Sequence, residues 1–174
     1  KNTEARDIGE YLAEVAGKVT FDHIVMLDVL EHFSVLEGAN LMQNLHPVLV
    51  KGGLVVVRVP NMGSPFGGMI QYSDLTHKTA FAPNNLGHLA AATGFEMIQC
   101  LPQIRGPWIR RKKQEFLFWL LSCMMVTSPE VWTPNLIAIF KEKSVQKCKS
   151  DQHFRGAALF SFKKYSKSLI LVGR

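Results

Sequence analysis

The sequence has few cysteines and no long apolar run, and each shortage excludes a class of protein. Its 174 residues hold only Cys100, Cys123 and Cys148, with no C-x-x-C pair, and the start does not resemble a signal peptide. This usage argues against a disulfide-stapled secreted domain and fits a reducing compartment. The longest apolar run, FLFWLLSCMMV at 116–126, is shorter than the roughly 20 residues that span a bilayer. We therefore expect a cytoplasmic protein without a transmembrane segment.

Acidic residues are scarce in the second part of the chain. Residues 1–100 hold six Lys/Arg and ten Asp/Glu, whereas residues 101–174 hold fourteen Lys/Arg and four Asp/Glu. The basic part is either a solvated surface or a face that meets phosphate, nucleic acid or an anionic membrane. Four basic residues at 110–113 precede the apolar run at 116–126. Such a segment can lie on a membrane surface, or it can be a buried or substrate-covering helix.

Hydrophobic periodicity predicts alternating helices and strands. Gly52 and Gly53 are expected to end the second helix, and the Gly- and Pro-rich residues 61–81 to form a functional loop. Residues 105–130 are predicted as a helical insertion, and residues 144–174 as a basic tail of uncertain structure. The order of elements predicts an α/β fold with a mostly parallel sheet. The predicted helices are 7–16, 36–49 and 83–93, and the predicted strands are 23–29, 54–60, 95–101 and 134–143.

Polar side chains stand where two predicted strands end. Asp28 closes the strand at 23–29, and Glu31 and His32 follow on the next turn. Asn61 follows the strand at 54–60. Ligands in open α/β sheets bind outside the carboxyl ends of the strands, so this edge is the predicted small-molecule site.

Three segments together resemble class I S-adenosylmethionine-dependent methyltransferases of type 11/23. They are FDHIVMLDVLEHF, LVKGGLVVVRVPN and YSDLTHKTAFAPNNLGHLAAATGF, and they are particularly similar to the branch found among glycan-biosynthesis genes. The resemblance covers about residues 5–100, and NLIAIFKEK resembles the last strand of the same fold. It implies a Rossmann-like sheet with helices on both faces. Ala82 departs from the usual Ser or Thr before Pro83, which predicts a weaker helix start.

The resemblance implies S-adenosylmethionine as the cofactor. Asp7 would accept a hydrogen bond from the adenine amino group, and Ile8 would pack on the adenine ring. The methionine and sulfonium side would be lined by Asp28, Val29 and Leu30, with His32 beside them. Asp7 and Asp28 have an alternative role as helix caps.

The resemblance also shows what the sequence lacks. The family's Gly-rich loop after the first strand and acidic residue after the second strand are missing. Residues 1–143 are therefore expected to be the C-terminal portion of a methyltransferase domain. Either the sequence is a fragment of a longer protein, or another chain completes the site in a homo-oligomer.

The YSDLTH loop supplies the candidate catalytic residues. His77 with Asp74 could remove a proton from an acceptor hydroxyl, or the two could staple the loop. Tyr72 and Asn61 are the candidate acceptor-binding residues. A divalent metal bound by Asp28, Glu31, His32 and His77 is an alternative, since small-RNA 3′-end 2′-O-methyltransferases use a similar string, and such ligands suit Mg or Mn. Because D-x-L-E-H is common in metal-free relatives, we expect no metal.

The predicted activity is methyl transfer to an oxygen or nitrogen of a small-molecule or glycan acceptor. One alternative is a binding or regulatory protein that keeps the fold without turnover. Another is an RNA 2′-O-methyltransferase, which the basic second part favours.

Overall fold

A five-stranded sheet forms the centre of the fold. The computed structural model describes residues 7–143 and the backbone of residues 169–172. The strands are arranged in the order β3-β4-β2-β1-β5. They are β1 (Phe21–Leu27), β2 (Leu49–Pro60), β3 (Phe95–Pro102), β4 (Asn135–Glu142) and β5 (Leu169–Val172). Five helices accompany them: α1 (Ile8–Val15), α2 (Val35–Gln43), α3 (Gly68–Gln71), α4 (Pro83–Ala92) and α5 (Trp108–Met124), with 3₁₀ turns at Leu30–His32 and His46–Val48.

The strand directions correct one prediction. Among the described strands, β1 and β2 run parallel, whereas β4 runs antiparallel to β2 and β3, and β5 runs antiparallel to β1. The expectation of a mostly parallel sheet is therefore wrong, although the α/β fold class is confirmed. Pro102 at the end of β3 lies opposite Leu136 at the start of β4, so the chain turns back at one end of the sheet. Alternating helices and strands do not by themselves distinguish such a return from a crossover.

The core lies against the two parallel strands. Ile24 and Met26 of β1 and Val55, Val57 and Val59 of β2 have no exposed surface. Because successive side chains of a strand point to opposite faces, these alternating residues lie on one face of the sheet. Branched side chains such as Val and Ile pack well on such a buried, pleated surface. Helices α2 and α4 add their apolar faces to the same cluster, through Leu41, Met42, Leu86 and Ala90. This packing holds the C-terminal ends of β1 and β2 in fixed positions.

Helix α2 begins as a capping box and ends earlier than predicted. The Ser34 N–H donates to Glu37 Oε2 at 2.8 Å, and the Glu37 N–H donates to Ser34 Oγ at 3.4 Å. The helix ends at Gln43, because Pro47 cannot continue it and disfavours helical backbone in the residue before it. The expectation that Gly52 and Gly53 end this helix is therefore wrong. They lie within β2, at an irregularity in its pairing with β1 where Gly52 has a φ of 80°.

The start of α4 and the predicted helical insertion both lie in the described part of the chain. Ala82 precedes α4 without a side-chain cap, as expected, and its N–H donates to Asn85 Oδ1 at 2.7 Å instead. Helix α5 lies in the segment between β3 and β4. Most of the predicted tail at 144–174 lies outside the described residues, so its division from residues 1–143 stays a prediction.

Candidate functional site

Asp28 stands at the carboxyl end of β1 in a left-handed backbone conformation. Its φ is 55°, and its N–H donates to the Arg58 carbonyl on β2 at 3.1 Å. Arg58 Nε donates to Asp28 Oδ1 at 2.9 Å, and a second guanidinium N–H donates to Oδ2. Hydrogen bonding of the guanidinium to the Asp28 carboxylate is the main reason that the pKa of Arg58 is raised. Asp28 therefore binds Arg58 rather than capping the following 3₁₀ turn, whose N-cap is Val29.

Arg58 is a residue that sequence reasoning missed. A charged side chain inside the apolar run LVVVRVP was the available signal, because such a residue in a buried strand requires a partner. The Arg58 side chain is 18% exposed, and the Asp28 side chain is 46% exposed. The pair thus has a half-open carboxylate at the edge where ligands bind.

The other predicted cofactor residues differ in accessibility. Asp7 is the N-cap of α1, where its Oδ1 accepts from the N–H groups of Gly9 and Glu10 at 2.9 and 3.1 Å. Ile8 is partly buried against the core. Val29 and Leu30 are core residues with at most 1% exposed surface. The cofactor roles of these four residues stay predictions.

A buried carboxylate and two histidines lie together beside this edge; we call Glu31, His32 and His77 the histidine cluster. The Glu31 carbonyl accepts from the N–H groups of Lys78 and Thr79 at 2.8 and 3.1 Å, which ties the 61–81 loop to the turn after β1. The rings of His32 and His77 meet edge to face, with their centroids 4.6 Å apart. Glu31 is 1% exposed. The structure therefore brings His77 together with Glu31 and His32, which precede it in the sequence by 46 and 45 positions.

Hydrogen bonds fix the orientation of both rings. The Thr76 hydroxyl donates to Asp74 Oδ1 at 2.7 Å, because a carboxylate can only accept. Thr76 Oγ1 then accepts from His32 Nδ1 at 2.7 Å. His77 Nδ1 lies 2.9 Å from the Gln71 carbonyl, to which it must donate. In the neutral form of each ring, Nε2 is consequently the nitrogen with the lone pair.

The predicted Asp74–His77 pair is close but not hydrogen-bonded. His77 Nε2 lies 3.9 Å from Asp74 Oδ2 and also 3.9 Å from Glu31 Oε1, beyond hydrogen-bonding distance. Asp74 is engaged by Thr76 instead, and the hydrogen bond from the Thr76 hydroxyl is the main reason that its pKa is lowered. The His77 side chain is 8% exposed. Within the described residues, the two carboxylates that face His77 Nε2 thus lie too far away to orient the ring by a hydrogen bond.

This arrangement can support two kinds of chemistry. A neutral His77 Nε2 can accept a proton, and the resulting cation would be attracted by the carboxylates 3.9 Å away. Alternatively, one ligand atom each from Glu31, His32 and His77 could bind a cation, because these atoms lie within 4.8 Å of one another. Asp28 does not join this group of described residues. Histidines whose Nδ1 donates to a protein oxygen are typical of metal ligands, but also of satisfied buried histidines.

The two predicted acceptor-binding residues have contrasting environments. Asn61 is fully buried, and its Nδ2 donates to the carbonyls of Val131 and Thr133 at 2.7 and 3.0 Å. Its Oδ1 accepts from the Gly63 N–H at 3.1 Å. These bonds make Asn61 part of the loop framework, and the geometry gives it no face toward an acceptor. Tyr72 is 77% exposed at the end of α3. Both acceptor-binding roles stay predictions.

The described part of the chain contains no helix that is long and apolar enough to cross a membrane. The predicted contact of residues 110–126 with a membrane surface does not require one.

Comparison with solved structures identifies the fold. A SAM-dependent methyltransferase from Archaeoglobus fulgidus is 18% identical, with a TM-score of 0.55 over 81% of this chain and 67% of that one. LaPhzM is 14% identical, with a TM-score of 0.53 over 82% of this chain and 35% of its own. The mitomycin 7-O-methyltransferase MmcR is 10% identical, with a TM-score of 0.52 over 79% and 33%. The chain thus spans about a third of the length of the last two proteins.

The sequence comparisons gave no match, either to a protein-family model or to a curated protein. The fold assignment therefore depends on the structural similarity to solved methyltransferases. The glycan-associated branch stays a prediction. The chain has the α/β fold of class I S-adenosylmethionine-dependent methyltransferases.

Proposed function

We propose that the protein binds S-adenosylmethionine and takes part in methyl transfer to an oxygen or nitrogen of a small-molecule or glycan acceptor. One observation carries this proposal: a half-open Asp28 carboxylate and the histidine cluster lie beside the carboxyl end of β1, in a sheet with the methyltransferase fold. In open α/β sheets this is the edge that receives ligands.

Different residues would contact the methionine and the adenine parts of the cofactor. The Asp28 carboxylate is exposed enough to attract the cationic methionine part even while it binds Arg58. The capping of α1 uses Asp7 Oδ1, which leaves Oδ2 for the adenine amino group, with Ile8 beside it. Val29 and Leu30, at most 1% exposed, would line the methionine and sulfonium side, and His32 would contact the cofactor beside them. The bound cofactor supplies an activated methyl group.

The acceptor part of the proposal gives His77 the role of base. His77 Nε2 would accept the proton that the acceptor oxygen or nitrogen loses on methylation, while the methyl C–S bond of S-adenosylmethionine would break and S-adenosylhomocysteine would leave. Asp74 Oδ2 and Glu31 Oε1 each lie 3.9 Å from His77 Nε2, so two carboxyl groups face the position that would receive the proton. Tyr72 lies on the same loop with its ring exposed, and it is the proposed contact for the acceptor. Asn61 would act through the shape of the loop.

Calorimetry with S-adenosylmethionine on the full-length protein tests the cofactor proposal. We expect saturable binding that weakens in Asp28→Asn and not in Lys141→Gln, a change at an exposed position on β4. Absence of binding at millimolar cofactor would overturn the enzyme reading. Binding without transfer of labelled methyl to any sugar, small hydroxyl or amine acceptor would favour a regulatory protein instead. Transfer to RNA, with RNA affinity that falls steeply as salt rises, would favour the RNA methyltransferase.

We further propose that the protein acts in the cytoplasm. Of the described cysteines, Cys100 and Cys123 are both free thiols, which fits a reducing compartment. Fractionation of cells that express the full-length protein tests this. Recovery from an oxidising compartment with these thiols paired would contradict it.

A further inference from the structure

Helix α5 touches the rest of the described chain along one narrow stripe. All of its 17 residues are described and none is buried; the half-buried ones are Gln114, Phe118, Leu121 and Ser122. Phe118 stacks on Trp132, with ring centroids 5.6 Å apart. Trp132 Nε1 donates to Ser122 Oγ at 3.1 Å. These contacts fix the rotation of the helix and decide which face points outward.

The outward face of α5 is apolar and aromatic. At 100° per residue, Trp108 lies about 80°, Phe116 about 160°, Trp119 about 100° and Leu120 about 160° around the helix from Phe118, so all four turn away from the side that packs on the protein. The exposed fractions of the first three are 68%, 62% and 61%. Met124 and Val126 continue the exposed apolar surface, at 76% and 104%. Aromatic residues gathered on one exposed helix face indicate a contact surface, whereas isolated exposed apolar residues need no explanation.

The charges of α5 indicate the kind of partner. Residues 110–113, RRKK, are all exposed and lie in the first two turns of α5. The first turn of the helix contains no acidic residue. Cations at a helix N-terminus oppose the helix dipole, so their position is unfavourable for the helix itself. Lys112 has an ion pair with Glu115 at 2.7 Å. A cluster of this sign beside an aromatic face is complementary to a surface that is both anionic and apolar.

We propose that α5 docks the protein on an anionic lipid bilayer. The helix would lie in the plane of the membrane, with Trp108, Phe116 and Trp119 at the boundary between headgroups and acyl chains. Residues 110–113 would contact anionic headgroups, and Trp is the aromatic side chain that favours this boundary. A second copy fits less well, because two RRKK segments would repel each other. A nucleic acid offers no apolar layer for the row formed by Phe116, Leu120 and Met124.

Co-sedimentation with vesicles tests this surface independently of the methyltransferase proposal. The full-length protein is mixed with phosphatidylcholine vesicles that contain or lack phosphatidylglycerol. We expect binding to the anionic vesicles only, with a blue shift of tryptophan emission. Binding should weaken as salt rises, because salt screens the headgroup charge. Equal binding to both kinds of vesicle would exclude the proposed role of the charges.

Matched variants identify the helix as the contact. Trp119→Ser should weaken vesicle binding by about tenfold or more, since the variant lacks an aromatic side chain that would insert into the membrane. Lys113→Gln should weaken it by about fivefold. Leu36→Ser and Lys141→Gln remove an exposed apolar residue and an exposed charge elsewhere, and should have no effect. Circular dichroism and thermal unfolding show whether each variant is folded.

Other partners would give different results. A concentration-dependent dimer that Trp119→Ser dissociates, without vesicle binding, would assign the face to a second copy and overturn the proposal. Salt-sensitive binding to RNA, again without vesicle binding, would assign it to nucleic acid. Vesicle binding that is indifferent to both α5 variants would also overturn it, because another part of the chain would then be the anchor.

Discussion

Arg58 of β2 holds the Asp28 carboxylate across the ends of two neighbouring parallel strands. Its Nε donates to Oδ1 at 2.9 Å, while the Asp28 N–H donates to the Arg58 carbonyl at 3.1 Å. The pair therefore combines a main-chain and a side-chain link between the same two residues. It keeps Asp28 at a φ of 55°, which an L-residue other than Asn or Asp rarely adopts.

Substitutions at Asp28 should separate charge from backbone conformation. Asp28→Asn removes the ion pair but tolerates positive φ, whereas Asp28→Ala loses both advantages. We expect Asp28→Ala to be less stable than Asp28→Asn by about 1 kcal/mol in urea unfolding. A double-mutant cycle with Arg58→Ala should give a coupling of about 0.5–1 kcal/mol, since Asp28 is half exposed. Equal stability of the Ala and Asn variants would show that the conformation costs nothing.

His77 should matter for turnover more than for cofactor binding. His77→Ala is expected to lower kcat by about a hundredfold or more, as for the loss of a general base, with cofactor affinity unchanged. Asp74→Asn should have a smaller effect, because Asp74 lies 3.9 Å from Nε2 and is held by Thr76. Exposed His88 provides the control variant His88→Gln, which should retain full activity. A full loss of cofactor binding in His77→Ala would instead assign the residue to the cofactor side.

Chelation distinguishes the two uses of the histidine cluster. If His77 acts as a base without a metal, turnover should be unchanged in excess EDTA. Loss of turnover that added Mn²⁺ or Mg²⁺ restores would assign Glu31, His32 and His77 as a ligand set, whose ligand atoms already lie within 4.8 Å of one another. Direct Mn²⁺ binding, measured by calorimetry on the cofactor-free protein, provides a second readout. Glu31→Gln should abolish that binding if it exists.

The two adjacent glycines of the 61–81 loop should respond oppositely to alanine. A Cβ at Gly67 would overlap the carbonyl oxygen of Asn61, while a Cβ at Gly68 would meet Tyr72 Cδ2 at an ordinary 3.8 Å. Gly67→Ala should therefore lower the free energy of unfolding by about 1–3 kcal/mol. Gly68→Ala should be neutral or slightly stabilising, since Gly68 is the first residue of α3 and alanine has the higher helix propensity. A neutral Gly67→Ala would show that the loop moves freely away from Asn61.

The capping box of α2 should give stability that acid removes. The hydrogen bond from the Ser34 N–H is the main reason that the pKa of Glu37 lies below its ordinary 4.5. A carboxylate with a lowered folded-state pKa stabilises the protein above its unfolded pKa, and this contribution disappears as the pH falls through the folded value. Thermal unfolding of Glu37→Gln should therefore depend less on pH below 4.5 than that of the parent. Glu115→Gln, on an exposed helix face, is the control and should follow the parent.

Local patterns in the sequence predicted the elements better than their arrangement. The apolar runs of β1 and β2 and the N-cap residue Asp7 follow from periodicity and propensity, which are local. The direction of β4 does not, because it depends on where the chain returns after β3. The length of α2 could have been predicted, since Pro47 excludes a helix continuing to residue 49.

The site was predictable as a list of residues but not as a geometry. The strings DVLEH and YSDLTH indicated His32 and His77 separately. Their ring contact depends on the tie between the 61–81 loop and the Glu31 carbonyl, and the orientation of His77 depends on the Gln71 carbonyl. Such backbone partners leave no trace in side-chain pattern. Arg58 left a clearer trace, as a charged residue inside the apolar run LVVVRVP.

The position of β5 has a consequence for how the sheet can grow. Its pairing, with Ile24 opposite Leu171, uses the outer hydrogen-bonding groups of β1. A hydrogen-bonding edge can be paired only once, so any other strand that approaches β1 must either displace residues 169–172 or add to the far side of β5. Residues 169–172 and a strand paired directly with β1 would therefore exclude each other. Which of the two pairs with β1 determines how far the sheet extends and which strand forms its exposed edge.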